Sequence, residues 1–369
     1  MKKSFSFGIG IYFIVSFLSL GFVGCKAEAK KEALEIAVFV PGIMADSPVY
    51  SMLAAGVQEA VDSVNSRLQD GGSALELGEY SPLVEGSKEV LVTILEAGTN
   101  QAEWSNKLTA LAATGKYALI ITSNPSMPEI IEPLTTQFPQ VKFVVLDGFL
   151  EGNNNIATIR YNQREQAYLT GYIAALVSTA NPQEMKYANP EAHLGFIAAQ
   201  EYPVMNEILL PSFIEGAQAA VPEAKVDFRI VGNWYDATKG AELARSLYNS
   251  GVDVILPICG GASQGVIATA KELGFYITWF DEDGFDKAPG YIVSSSVMAQ
   301  KKMAKEATEK ALLGTIEYGK AKTVGIEDGY IDFVQDNPLY IETVPESIRT
   351  KMAALVDDIK TGTLLLPSP

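Results

Sequence analysis

Only two cysteines and one histidine occur in the 369 residues. Two thiols, Cys25 and Cys259, cannot build a disulfide scaffold. A structural zinc site needs about four Cys or His ligands, so none is expected. The lone His193 stands in the apolar run Ala192-His193-Leu194-Gly195-Phe196 and reads as a strand-end core residue. Cys259 is the one candidate nucleophile, with no histidine beside it to serve as its base, so the chain is not read as an enzyme. Basic residues are also scarce, 28 against 44 acidic, for a net charge of −16. Nucleic acid would demand a basic face and is excluded as a partner. Long apolar runs are nearly absent. Only residues 7–23 approach the ~18–20 residues that a membrane span requires.

That one run is expected to be a processing signal. Lys2 and Lys3 precede it, no acidic residue interrupts it, and it ends at Phe22-Val23-Gly24-Cys25. The small residue before Cys25 resembles the lipobox of bacterial lipoproteins, with Phe22 where leucine is usual. Residues 1–24 then form the signal peptide, Cys25 carries the lipid, and residues 25–33 are a hydrophilic tether. This places the protein on a cell membrane by a lipid anchor, facing the periplasm. Removing 24 of 369 residues leaves 345, too long for one comfortable core and suited to two lobes.

Short β-branched runs alternate with amphipathic helical patterns through most of this length. The runs cover residues 35–40, 90–95, 118–122, 142–146, 156–161, 194–198, 226–231, 252–257, 276–280 and 291–294. Helical patterns lie at 50–68, 102–114, 163–178, 214–220, 238–250 and 263–273. Such alternation predicts an α/β fold of parallel sheets covered on both faces. Ten strands divide best near Tyr161 into two doubly wound lobes with a cleft between them.

In open α/β sheets the ligand sits beyond the carboxyl ends of the strands. That rule selects the loops at Asp46, Asn124, Asp147, Gln200, Trp234 and Asp281, with Tyr50 at the opening of the first helix. These loops carry amides, carboxylates and aromatics, and no phosphate loop. A carboxylate at a strand end accepts hydroxyl hydrogen bonds or caps the next helix. Asn124 and Gln200 are candidates to read an imide edge, because an amide both donates and accepts. Trp104 is placed at the rim and Trp279 in the core.

Several segments in this order resemble the basic membrane lipoprotein, or purine nucleoside receptor, family of ABC-transporter binding proteins. They are Asp46 with Gly56, the stretch Glu165-Gln166-Ala167-Tyr168-Leu169-Thr170-Gly171, Gly232-Asn233-Trp234-Tyr235-Asp236, Gly251-Val252-Asp253-Val254-Ile255, and Asp281-Glu282-Asp283. The resemblance implies a type I periplasmic-binding-protein fold with three hinge crossings, placed near Tyr161, Tyr291 and Lys322. Lobe 1 is then residues 34–160 and 292–318, and lobe 2 residues 161–291 and 319–340. Residues 341–369 form a C-terminal helix and tail. It also implies a monomer that delivers a small molecule to an ABC permease and its ATPase.

The family's opening loop reads Asp-x-Ser-Phe-Asn, whereas this chain has Asp46-Ser47-Pro48-Val49-Tyr50. Trp234 replaces the family's stacking phenylalanine, and Met298 stands where a sugar-contacting lysine is expected. These departures remove two polar handles for ribose and enlarge the aromatic surface, a pattern that resembles a riboflavin-binding member of the family. Riboflavin as a transported ligand, not a cofactor, is therefore the leading expectation. A purine nucleoside is the alternative, and a ligand sensor or adhesin the reading from another class.

Overall fold

The computed structural model describes residues 33–70 and 75–368. The expected signal peptide, Cys25 and most of the expected tether lie outside the described residues.

Twelve strands are described: β1 Leu34–Val40, β2 Val90–Glu96, β3 Leu119–Ser123, β4 Lys142–Leu146, β5 Ile156–Tyr161, β6 His193–Ala198, β7 Lys225–Ile230, β8 Val254–Ile258, β9 Tyr276–Asp281, β10 Ile292–Met298, β11 Ala321–Val324 and β12 Ile331–Phe333. The helices are α1 Pro48–Gln69, α2 Trp104–Ala113, α3 Met127–Gln137, α4 Gln163–Ser178, α5 Leu210–Ala220, α6 Ala237–Asn249, α7 Ser263–Leu273, α8 Gln300–Leu313, α9 Pro338–Thr343 and α10 Glu346–Lys360. They build two six-stranded sheets, ordered β11-β5-β4-β3-β1-β2 and β12-β10-β9-β8-β6-β7. Every pairing is parallel except that of β10 with β12. The architecture is the two-lobed α/β arrangement that the alternation predicts.

The strands are apolar on both faces because helices cover both. In β1, Ile36, Val38 and Val40 point into one core and Ala37 and Phe39 into another, the period of two that a pleated strand imposes. Helices approach closely where glycine allows it. A Cβ on Gly171 of α4 would collide with the Phe213 carbonyl of α5, and one on Gly216 of α5 with the Tyr168 carbonyl of α4. This contact fixes α4, the helix that leaves the first lobe.

Two hinge positions differ from expectation. β10 pairs with β9, so residues 292–298 belong to lobe 2 and the second crossing falls at Ala299, not near Tyr291. β11 pairs with β5, so residues 321–324 belong to lobe 1 and the third crossing falls at 325–330, after Lys322. The first crossing is at Tyr161–Asn162, between β5 and α4. The run Ile292–Met298 does not say which sheet will hold it, because β10 is buried on both faces and has no alternation to orient it.

The crossings are tied together. Asn162 N–H donates to the Val324 carbonyl at 2.7 Å, and Ile326 N–H to Glu165 Oε2 at 2.8 Å. The Tyr161 hydroxyl donates to Gln300 Oε1 at 2.6 Å, while Gln300 Nε2 donates to Ser123 Oγ at 2.8 Å. The C-terminal tail returns to the same place, where Asn162 Nδ2 donates to the Leu366 carbonyl at 2.8 Å.

Candidate functional site

Tyr50 lies at the start of α1, Asn124 just after β3 and Asp147 just after β4, all in lobe 1. Gln200 and Tyr202 follow β6, Trp234 follows β7, and Asp281 ends β9, all in lobe 2. Asp46 closes a short 3-10 turn, Met44–Asp46, and its side chain lies outside what is described.

Asp147 and Asp281 are two of the four non-glycine residues with positive φ among the described residues, at +54° and +73°. Aspartate tolerates this region better than most side chains, and such backbone is concentrated at binding and catalytic sites. The Asp147 carboxyl feels the charge of Asp281 across the lobes. Burial pushes Asp147 up to about 8, the Asp281 charge adds to the rise, and Arg160 opposes it. Burial likewise pushes Asp281 up to about 7, partly offset by the hydrogen bond from Gln166. Gln166 Nε2 donates to Asp281 Oδ1 at 3.3 Å and to the Ser296 carbonyl at 3.0 Å. An acidic pair is thus held in a dry setting where a hydroxyl donor lowers its energy.

The Tyr50 hydroxyl accepts from Asn124 Nδ2 at 3.3 Å. Burial pushes the phenol up to about 12, so it stays neutral and retains its proton to donate. Asn124 Oδ1 accepts from Ser126 N–H at 2.9 Å. Gln200 Oε1 accepts from Gln101 Nε2 at 3.1 Å, a bond that joins the lobes. Each of the two amides selected from sequence therefore already has a protein partner.

Trp234 is half-buried, its ring 6.3 Å from that of Tyr202 at 43°. Its loop is braced by Asn233 Oδ1, which accepts from Tyr235 and Asp236 N–H at 3.0 and 2.8 Å. Burial raises the Tyr202 phenol well above its usual range, and the neighbouring acidic groups Asp147, Asp281 and Tyr50 raise it further. Those couplings gather residues of both lobes around one aromatic wall. Tyr202 was not selected from sequence, although it shares the strand-end loop of Gln200. Trp104 is core rather than rim: it is 5% exposed, and its Nε1 donates to the Gly98 carbonyl at 2.9 Å. Met298 is buried at the end of β10.

Beside Asp147 lies an interlobe cavity of about 110 Å³, walled by Phe149, Arg160 and Tyr161 of lobe 1 and Gln163, Val204 and Ile208 of lobe 2. A whole small-molecule pocket occupies roughly 300–1,000 Å³, so admitting a ligand requires the lobes to part about the hinge. The chemistry available is stacking on a ring and acceptance of hydroxyl hydrogen bonds. Cys259 is buried, with its thiol pushed up to about 11 by that burial and its Sγ 3.3 Å from Ser263 Oγ.

Comparison with known proteins gives the family and the fold. Residues 33–363 match the family described as ABC transporter substrate-binding protein PnrA-like (Bmp). The ABC transporter nucleoside-binding protein BmpA of Lactococcus lactis is 23% identical over 269 residues, 68% of this chain and 72% of that protein. Basic membrane protein D of Borreliella burgdorferi is 22% identical over 361 residues, 95% of this chain and 94% of that protein. An ABC transporter solute-binding protein of Aeropyrum pernix superposes with a TM-score of 0.70 at 17% identity, covering 91% of this chain and 94% of that one. The chain belongs to the PnrA-like family of ABC transporter substrate-binding proteins, and it works by binding rather than by catalysis.

Proposed function

We propose that the protein captures a nucleoside between its lobes and presents it to the permease of an ABC importer. The observation that carries this reading is the pair of strand-end carboxylates, Asp147 and Asp281, brought from opposite lobes to one aromatic wall. Hydroxyls of a sugar suit the carboxylates, and a flat base suits Trp234 and Tyr202. The nucleoside-binding relative supports the same ligand class, which moves the nucleoside ahead of riboflavin. Calorimetric titration with inosine, adenosine and riboflavin tests the choice. A nucleoside is expected to bind tightest; riboflavin binding with neither nucleoside competing would reverse the assignment.

The membrane anchor belongs to this proposal. Gly24-Cys25 follows an apolar run, and a lipid on Cys25 would hold the lobes beside the permease on the outer side of the membrane. Cys25→Ala should abolish labelling by radioactive palmitate and release the protein from the membrane fraction. Equal labelling of wild type and variant would refute the anchor.

A further inference from the structure

Resting on the nucleoside reading, we infer that Gln166 is a positioning residue for ligand capture: it holds one carboxylate oxygen of Asp281 so that the other is left to the sugar hydroxyls.

Gln166 stands in the first turn of α4, just past the first crossing, and is wholly buried. Its Nε2 donates to Asp281 Oδ1 at 3.3 Å and to the Ser296 carbonyl at 3.0 Å, while its Oε1 is buried without a partner. The amide cannot be turned round, because its oxygen would then face two acceptors. What the position supplies is therefore a pair of N–H donors. A buried amide with an idle acceptor costs stability, and a methionine of similar volume would fill the space without that cost. The donors must serve something beyond packing.

Asp281 ends β9 at φ +73° and lies in register with Val297 of β10. The strand pair fixes where this residue sits, but not how its carboxyl is turned. Among the described residues only Gln166 donates to that side chain, and it takes Oδ1 alone. Oδ2 is left without a protein partner, at the strand end where a ligand enters. The donor also favours the ionised form, which accepts sugar hydroxyls best. Burial and the charge of Glu282 push Asp281 the other way, and Gln166 opposes them. Glu282 is itself paired with Lys287 at 2.9 Å. The other titratable groups that feel Asp281 are Asp147, Tyr161 and Tyr202, none of them a cation. Ser296, the second acceptor, lies just before the crossing at Ala299, and its Oγ donates back to the Gln166 carbonyl at 3.3 Å. One amide thus ties the carboxylate to both α4 and β10.

Calorimetry with inosine on the wild type, Gln166→Met, Asp281→Asn and the double variant tests this. Gln166→Met should weaken inosine by about tenfold at pH 7. In the Asp281→Asn background the same change should cost less than about twofold, because a residue that acts through another loses its effect once that other is altered. The rise of affinity with pH should also move to higher pH, by about 1 in Gln166→Met. It should move further in Gln166→Glu, which sets a second carboxyl against the first. A glutamine that merely braces α4 on β10 would cost the same in both backgrounds and at every pH. Unchanged thermal midpoints establish that the variants are folded, and the isosteric Gln166→Glu carries the comparison if Gln166→Met does not fold. Equal losses in the two backgrounds, an unmoved pH profile, or inosine binding indifferent to Asp281→Asn overturns the positioning role while leaving nucleoside capture intact. A wild type that binds neither inosine nor adenosine overturns both.

Discussion

Affinity for a hydroxylated ligand should rise by about tenfold to a hundredfold between pH 6 and pH 8. Asp147 and Asp281 hold their protons up to about 8 and about 7, because both are buried and Asp147 also faces the charge of Asp281. A sugar hydroxyl donates best to an ionised carboxylate, so below those values binding must first displace a proton. Calorimetry in buffers of different ionisation enthalpy should detect proton release near neutral pH. Asp147→Asn and Asp281→Asn should each flatten the profile. Affinity that is level or falls across this range would remove the carboxylates from ligand contact. The same groups act with opposite sign on the fold without ligand. Their folded pKa values lie above the ordinary carboxylate value, so their stabilising contribution is complete below about pH 4 and is lost as pH rises through about 7–8. The thermal midpoint of the unliganded protein should decline over that window, and less so in Asp147→Asn.

Trp234→Ala should weaken nucleoside binding by about 2–4 kcal/mol, or ~30-fold to nearly 1,000-fold, from lost apolar burial and lost stacking. The side chain is half-buried and rests on Tyr202 rather than inside a core, so its removal costs contact with a ligand more than it costs the fold. Asn233 braces the loop through its own side chain and keeps it in place in the variant. Trp234→Phe should recover most of the loss, because a smaller ring still covers the base. A change of less than about twofold in Trp234→Ala would mean that the indole serves the loop instead.

The sequence was legible where a simple period governs. The helices at 163–178 and 263–273 are found with the bounds that apolar spacing predicts. The missed elements lack such a signal. β11 and β12 are only four and three residues long, too brief to stand out. α3 contains Pro133 within it, and Pro128 near its start, which read as breaks. α8 is rich in lysine and glutamate, and the face it buries is mostly alanine, threonine and glutamine with few large apolar residues. At the site, the strand-end rule reached Asp147, Trp234 and Asp281 because each follows or ends a strand. It did not reach Arg160 or Gln163. One is the penultimate residue of β5 and the other the first of α4, and only the hinge folds them beside Val204 and Ile208.

The triple crossing also governs when this chain can fold. Lobe 1 is not complete at residue 161: α8 must still cover α1, and β11 must still edge β5. A Cβ on Gly56 would strike the Lys301 backbone, so the seat of α8 on α1 is tight and stays open until residues 300–313 arrive. These are contacts between residues more than 150 positions apart, and such distant partners slow folding. A polypeptide emerging from its N-terminus therefore stays incomplete in both lobes until nearly its last 70 residues are available. If the chain is exported unfolded, as the proposed anchor requires, that delay keeps it passable while it is being moved and lets both lobes close together on the far side.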